Sequence, residues 1–465
     1  MEGIVMQSVW LKQALKADGG PGITPLDGDL KVDVAIVGGG FTGLWTALEL
    51  KSRDTSLDVA IIERDICGSG GSGANAGHAL PMWLQLPLLE QVSDTESAMN
   101  IGNAALKAID DIRSVSAEHG IDSQISETNT IWAATCEKQS GHWDEMLRLM
   151  EGFQVHGYRY LDKDAVRNAT GSDALVGGLI DDSSVLIHPG HLVRGLRRVA
   201  LAKGVRIFEK TEMTKLGRTS PPTVTTPQGT VTARKVVLGL YGWSLSIPEL
   251  RSSAMVMFTD AAMTKPIPDK LDELGLRGVS GFTDSRVFIE ACRPTADDRM
   301  FWTKSGGWLP YGDRLDRCSR QPFRTESELR DVIGGYHPAL RDVEIEGAWC
   351  GPIDRTMNGL PIFGRLPTCR DIVFGYGYSG AGVVPSRVGS HILASLVQDK
   401  DDVWTRSPLV SPLSRSFPPE PMRWIGGQIV KAAISRKDRY DHAGKEVGPI
   451  TKFWLQFKPA SYKPS

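Results

Sequence analysis

Between Val32 and Glu63 the spacing of apolar residues changes twice, and each change marks the edge of an element. Val34 to Val37 is an unbroken apolar run, the pattern of a parallel strand buried on both faces. Gly38, Gly40 and Gly43 follow, and apolar residues then recur at Leu44, Ala47, Leu48 and Leu50 with helical spacing. A second apolar run, Val59 to Ile62, reads as the next strand and ends on Glu63. Strand, tight turn, helix and strand are therefore predicted in that order. Gly38 would turn the chain, Gly40 would let the backbone approach a pyrophosphate, and Gly43 would let helix and strand pack closely. An acid about 20 residues past the last glycine stands where a carboxylate accepts hydrogen bonds from a ribose. This combination points to a dinucleotide held at a helix N-terminus, without saying which one.

Further along, helical spacing over Met99–His119 (Ile101, Ala105, Ile109, Ile112) stops at Gly120, and another helix is expected over His142–His156. Ile187-His-Pro-Gly-His opens a helix over Leu192–Ala202, followed by a strand at Val205–Phe208. Thr223–Thr226 and Thr230–Ala233 flank Gln228-Gly229 as a hairpin, and Lys235–Leu240 reads as a buried strand. Strands are also expected at Ile131–Thr135, Ala254–Phe258, Ser285–Glu290, Met300–Thr303 and from Ile372, and a last helix over Ser386–Val397. Met1 to Leu30 is expected to form a surface strap, and the tail from Ser407, with one amphipathic piece near Trp424–Ile434, a peripheral extension. The glycine-rich run Cys67–His78 suits neither helix nor strand throughout, and its place after the second strand favours a loop folded over a ligand.

A chain of 465 residues exceeds the roughly 250–300 at which one core stops growing, so two domains are expected. A formal net charge of −2 gives no reason to expect nucleic acid or an anionic membrane as partner. The six cysteines show no C-x-x-C spacing, which argues against a zinc site and for reduced thiols in a cytoplasm. His188 and His191 lack carboxylate or cysteine partners at useful spacing, so no metal is expected; with Pro189 between them they more simply open a helix. No secretory signal is read at the N-terminus, and no apolar segment approaches the ~18 residues needed to insert across a bilayer.

The order of Gly38-x-Gly-x-x-Gly43, Glu63-Arg64, Gly70-Gly-Ser-Gly-Ala-Asn-Ala-Gly77, Ile187-His-Pro and Gly377-Tyr-Ser-Gly-Ala-Gly382 resembles the FAD-dependent amine and amino-acid oxidases related to glycine oxidase, sarcosine oxidase and D-amino-acid oxidase. The wording of the glycine loop and of Asn358-Gly-Leu-Pro361 is most similar to the gamma-glutamylputrescine oxidase branch. The resemblance implies an α/β fold in which a Rossmann-like FAD-binding domain (1–90, 181–250, 347–400) is interleaved with an α+β substrate domain on a mixed or antiparallel sheet (91–180, 251–346), followed by a C-terminal extension (401–465). It implies oxidation of a carbon–nitrogen bond in a small amine, with O2 or another carrier as electron acceptor.

By the same resemblance the FAD contacts are Gly38, Gly40, Phe41, Thr42, Gly43, Glu63, Arg64, Ser72, Asn75, Ala76, Gly77, His78, Met213, Asp354, Pro361, Gly380, Ala381, Gly382 and Val383. Ala381 and Gly382 would meet negative charge developing on the reduced flavin, and His78, near where some relatives attach flavin, would stand beside it. Cys350 lies one position before the cysteine that carries flavin in sarcosine oxidases. The chain also departs from the family pattern. Ala74 replaces an arginine of the glycine loop, Ala381 a histidine, and Val384 the lysine that assists dioxygen in sarcosine oxidases. Lys304 is the candidate for a substitute cation. A dehydrogenase using a quinone, or a flavoprotein that oxidises no amine, therefore stays open beside the oxidase. For the substrate, Arg286 or Arg293 would clamp a carboxylate or phosphonate, and Trp302 and Trp308 would wall a polyamine chain.

Overall fold

The structure is a computed structural model that describes residues 7–20, 22–315, 321–411, 413 and 417–460. Two large sheets carry it. The first has the strand order Ile362–Leu366, Cys369–Tyr376, Gly229–Leu238, Leu30–Val37, Val59–Ile62, Arg206–Phe208, with Thr223–Thr226 joined antiparallel to Gly229–Leu238 and Lys215–Gly217 antiparallel to Thr223–Thr226. Leu30–Val37 lies parallel to both its neighbours, as the unbroken apolar run requires. Val34 and Ile36 enter the core on one face of the sheet, and Ala35 and Val37 enter the core on the other. Helix Phe41–Arg53 follows this central strand and packs against Val383–Val397 and Pro189–Ala202.

The second sheet runs Ile345–Thr356, Ala254–Thr264, Met300–Lys304, Glu290–Pro294, Gly281–Asp284, Thr130–Ala134, Gly177–Asp181, Tyr158–Leu161. It is mixed: Gly281–Asp284 pairs parallel with Thr130–Ala134, and the other neighbours pair antiparallel. Strand Ile345–Thr356 pairs with this sheet along nearly its whole length, so the segment boundary expected at 346/347 falls inside it.

Three expectations need correction. The N-terminal segment is no surface strap: helix Val9–Ala17 packs on helix Pro189–Ala202, and Trp10 is fully buried, its ring near His188 and Phe301. The expected strand Ser285–Glu290 is mostly the connection between Gly281–Asp284 and Glu290–Pro294. Val287 and Phe288 are apolar there because they bury against Val430 and Ile434 rather than because they join a ladder. That contact makes the C-terminal extension integral as well. Helix Met422–His442 lays Val430 and Ile434 on the second sheet's connections, Trp424 Nε1 donates to the Leu309 carbonyl at 3.1 Å, and the Ala460 N–H reaches the Met357 carbonyl at 2.8 Å.

Among the described residues no helix is long and apolar enough to cross a membrane, and no group of three or more His, Cys, Asp or Glu side chains is placed to hold a metal ion. His188 accepts the His191 N–H at 3.0 Å on Nδ1 and contacts Gln13 through Nε2, the geometry of a helix cap. Cys318 lies outside the described residues, and among those described no disulfide joins the other five cysteines.

Because Trp10 fills the space between helix Pro189–Ala202 and the second sheet, Trp10→Ala is expected to destabilise the fold by about 3–5 kcal/mol. Chemical denaturation with and without added FAD checks this, and a loss below about 1 kcal/mol would contradict the packing described.

Candidate active site

A cavity of about 630 Å3 lies between the two sheets, within the range of small-molecule and cofactor sites. One end is built by the first glycine turn. Gly38 has φ +111° there, and a Cβ on it would lie 2.4 Å from the Gly239 carbonyl oxygen. A Cβ on Gly43 would lie 2.0 Å from the Gly38 carbonyl oxygen, so only glycine lets the helix start this close to its strand. Helix Phe41–Arg53 begins at Gly40 with no side-chain cap, and Gly40, Phe41 and Thr42 line the cavity. Its unsatisfied N–H groups and dipole make that end a site for an anion. One donor is already used: the Phe41 N–H is accepted by Ser72 Oγ at 2.8 Å.

The glycine loop closes over this turn. Asn75 Nδ2 donates to the Gly71 and Ser72 carbonyls at 3.1 and 2.9 Å, and its Oδ1 accepts the Gly77 N–H at 2.8 Å. Asn75 therefore holds the loop's own backbone, while Ser72, Ala76 and Gly77 also line the cavity. Glu63 Oε2 accepts the Gly39 N–H at 2.7 Å and Oε1 the Asp65 N–H at 2.9 Å. Its desolvation raises the carboxyl above the ordinary range against the opposing pull of those two bonds. Arg64, Met213 and Trp243 stand at the same end, with the Arg64 guanidinium 5.0 Å from the centroid of the Trp243 ring.

The second turn stands beside the first. Tyr378, Ser379, Gly380, Ala381, Gly382 and Val383 line the cavity, and helix Val383–Val397 also starts uncapped, at Gly382. The two turns touch: Thr42 Oγ1 and the Tyr378 hydroxyl lie 2.8 Å apart. His78 faces the same space, with Nδ1 2.9 Å from Thr130 Oγ1, and Cys350 and Arg355 also line it. The second sheet contributes Thr259, Ala261, Ile289, Ala291, Thr303 and Ser305.

Several expected residues lie elsewhere. Gly43 packs helix on strand beneath the cavity, and Asp354 and Pro361 stand outside its lining. Lys304 neighbours Thr303 on one strand, and strand alternation turns the two to opposite faces. With Thr303 toward the cavity, Lys304 pairs with Glu290 on the far side, where Arg286 joins Asp284 at 3.0 Å and Glu290. Both cations line a separate polar cleft with Arg324 and His442. Trp302 shares that far face, fully buried, with Nε1 donating to the Leu329 carbonyl at 2.9 Å. Trp308 stacks between Phe258 and Phe323. Arg293 is on the cavity's face of the sheet but behind the glycine loop, donating to the Ile187 carbonyl at 2.7 Å under the Trp10 ring.

Sequence reasoning passed over Ser8, Leu11, Tyr241, Trp243, Trp349 and Arg355, all of which line the cavity. Ser8 had a readable signal: it precedes the apolar run Val9–Leu11, and its Oγ accepts the Leu11 N–H as a helix cap while bonding the Gly73 carbonyl. Trp349 and Arg355 are brought in by long-range sheet pairing, Leu11 by the packing of helix Val9–Ala17, and Tyr241 and Trp243 by the helical turn that follows strand Gly229–Leu238.

Comparison with known proteins agrees with this geometry. The profile of the family described as FAD dependent oxidoreductase (DAO) matches residues 33–396. The chain belongs to that family. It is 28% identical over 376 residues to the gamma-glutamylputrescine oxidoreductase of Escherichia coli K12, covering 80% of this chain and 85% of that relative. The crystal structure of glycine oxidase from Geobacillus kaustophilus superposes with TM-score 0.66 at 21% identity, covering 83% of this chain and 99% of that one. The L-proline dehydrogenase structure from P. horikoshii gives TM-score 0.65 at 17% identity over 82% and 98% of the two chains. The family is FAD-dependent, and the residues here fit such a group. Two uncapped helix N-termini offer donors to its phosphates and its ring, glycines clear space for its backbone contacts, and a carboxylate stands at the second strand's end.

Removing the hydroxyl that joins the turns tests this arrangement. Tyr378→Phe and Thr42→Val are each expected to cost about 1 kcal/mol, with the double variant costing little more than either. A double-mutant cycle on unfolding free energy and on FAD affinity measures the coupling; simple additivity would show that the contact joins nothing.

Proposed function

We propose that this protein oxidises a carbon–nitrogen bond in a small primary or secondary amine: a polyamine derivative, an N-methyl amino acid, an amino acid or an aminophosphonate. The observation that carries this is the meeting of two uncapped helix N-termini, at Gly40 and at Gly382, on one cavity with an apolar wall. Bound FAD supplies a two-electron acceptor there. The substrate carbon would give up a hydride, the nitrogen lone pair would form the C=N bond of an iminium, and water would then hydrolyse it to an aldehyde or keto product and an ammonium or amine. Gly380, Gly382 and Val383 have backbone N–H groups for the negative charge that develops, while the Ala381 N–H is donated to the Tyr378 carbonyl at 3.0 Å and holds the turn. Leu80, Ala261, Ile289 and Trp349 exclude water and disfavour the protonated amine, and the cationic Arg355 on the same lining acts in the same direction. No side-chain base is needed once the amine binds neutral.

The electrons go on to O2 with release of hydrogen peroxide in the oxidase reading, with a cytoplasmic location. One observation favours the second reading, a dehydrogenase passing electrons to a quinone or other carrier. Val384 and Ala381 stand where related oxidases carry charged or titratable side chains, and Lys304 points away from the cavity into its pair with Glu290.

A panel of amines mixed anaerobically with the FAD-loaded protein tests the proposal. At least one amine is expected to bleach the flavin; a loaded protein that none of them bleaches overturns it. Admitting oxygen then separates the two readings: prompt recolouring with peroxide marks the oxidase, while slow recolouring with rapid reduction of an added dye marks the dehydrogenase.

A further inference from the structure

Asp354 lies on Ile345–Thr356, the edge strand of the second sheet, directly behind the second turn. Its side chain is wholly buried. Oδ2 accepts the Gly377 N–H at 2.6 Å, and the Asp354 carbonyl accepts the Ser379 N–H at 2.9 Å. Oδ1 makes no hydrogen bond. The stretch it grips is conformationally unusual: Gly377, Ser379 and Gly380 have φ of +82°, +53° and +97°. Left-handed backbone at a serine persists only where the surroundings impose it. Those surroundings are Asp354 itself and, one residue pair on, the Thr356 N–H donating to Ser379 Oγ at 3.4 Å.

We propose that Asp354 is a positioning residue that ties the second turn to the second sheet, and so fixes where the N–H groups of Gly380, Gly382 and Val383 stand against the flavin. This goes beyond amine oxidation but shares its assignment of the turn to the flavin ring. Asp354 stands outside the cavity lining. It acts from the opposite side of a turn whose other face lines the cavity, so one rigid contact sets the spacing between the two walls of the site. Burial supports the assignment: loss of solvation pushes this carboxyl up to about 8 despite the three backbone N–H groups, of Gly377, Ser379 and Tyr378, that favour the charged form. The group is therefore neutral at pH 7 and places no negative charge behind a turn that must receive one. Tyr376 and Tyr378, the phenols that feel this carboxyl, are themselves driven up by burial. Arg355, Cys350 and His78 are the other titratable groups near the turn and its side of the cavity.

The test uses FAD-loaded Asp354→Asn and Asp354→Ala beside the parent. Asparagine keeps an acceptor for the Gly377 N–H and removes the ionisation; alanine removes both. Two quantities are read without any amine: the FAD dissociation constant, and the ratio of oxidised to reduced flavin at a fixed redox poise. At pH 6.5 (well below the range in which Asp354 titrates), the asparagine variant is expected to stay within about threefold of the parent in both quantities, and the alanine variant to shift both by about tenfold or more. A folded alanine variant that matches the asparagine variant overturns the proposal. Should alanine not fold, the asparagine variant decides. Flavin reduction takes up a proton and grows harder with pH in both proteins; the parent is expected to show an additional drop as pH rises through about 8, because ionised Asp354 then opposes the flavin's charge, and the asparagine variant to lack that extra step. An extra step that persists in the variant overturns the assignment. Failure of every amine to bleach the parent would count against the proposed function alone, since neither quantity depends on turnover.

Discussion

The site depends on a contact between two side chains 336 residues apart in sequence, Thr42 Oγ1 and the Tyr378 hydroxyl. Thr42 is in the first turn of the helix that follows the central strand, and Tyr378 is in the turn leading to helix Val383–Val397. Those two helices also pack along their lengths, so the contact at their N-termini sets how far apart their positive ends lie. Two helix dipoles aimed at one region repel each other unless an anion sits between them. The arrangement is costly for an empty protein and favourable for one that holds phosphates at one end and a reducible ring at the other. Binding the cofactor then adds to fold stability by mass action.

The second sheet divides its work by the two-residue period of a strand. Thr259, Ala261, Ala291 and Thr303 meet the cavity, and pairings such as Ala261 with Thr303 keep them level. The opposite face carries Asp260, Glu290 and Lys304, and Asp284 and Arg286 join the same charged side at the end of the neighbouring strand. Charges that need each other are thereby kept one strand thickness from chemistry that needs an apolar wall. Buried pairs of this kind add little net stability, but removal of one partner strands the other charge, so the network holds the sheet in a single arrangement.

What the sequence made legible follows the range of the interactions. The first glycine turn, its strand and its helix are local, and Gly38 and Gly40 were legible from spacing; Phe41, Thr42 and the equally local second turn at Gly380 came with the family resemblance. Facing residues in the second sheet were not legible, because a one-residue error in placing a strand exchanges its two faces. Lys304 and Trp302 were lost that way, and Thr303, one position along, was missed for the same reason. The apolar run at Val287 and Phe288 read as a strand because burial against a distant helix and burial in a ladder leave the same signature. Arg293 shows another limit: it lies on the cavity's side of the sheet, yet the glycine loop stands in front of it.

The N-terminal helix shows how a peripheral-looking segment becomes part of the site. Glu209 is wholly buried and accepts from Arg197 at 2.7 Å, from Arg194 at 3.3 Å and from the Cys67 N–H at 2.7 Å. Arg194 in turn reaches Asp18 at 2.9 Å, just past the end of helix Val9–Ala17. The same helix begins at Ser8, whose hydroxyl bonds the Gly73 carbonyl of the glycine loop. One short helix is thus held at its C-terminal end by a buried charge network and at its N-terminal end by the loop that lines the cavity. Each half of that arrangement supplies what the other lacks, since a loop this rich in glycine has little stiffness of its own. Its shape is imposed by Trp10, packed between helix Pro189–Ala202 and the second sheet with Ala74 and Ala76 against that cluster, and by Asn75 bonding within it.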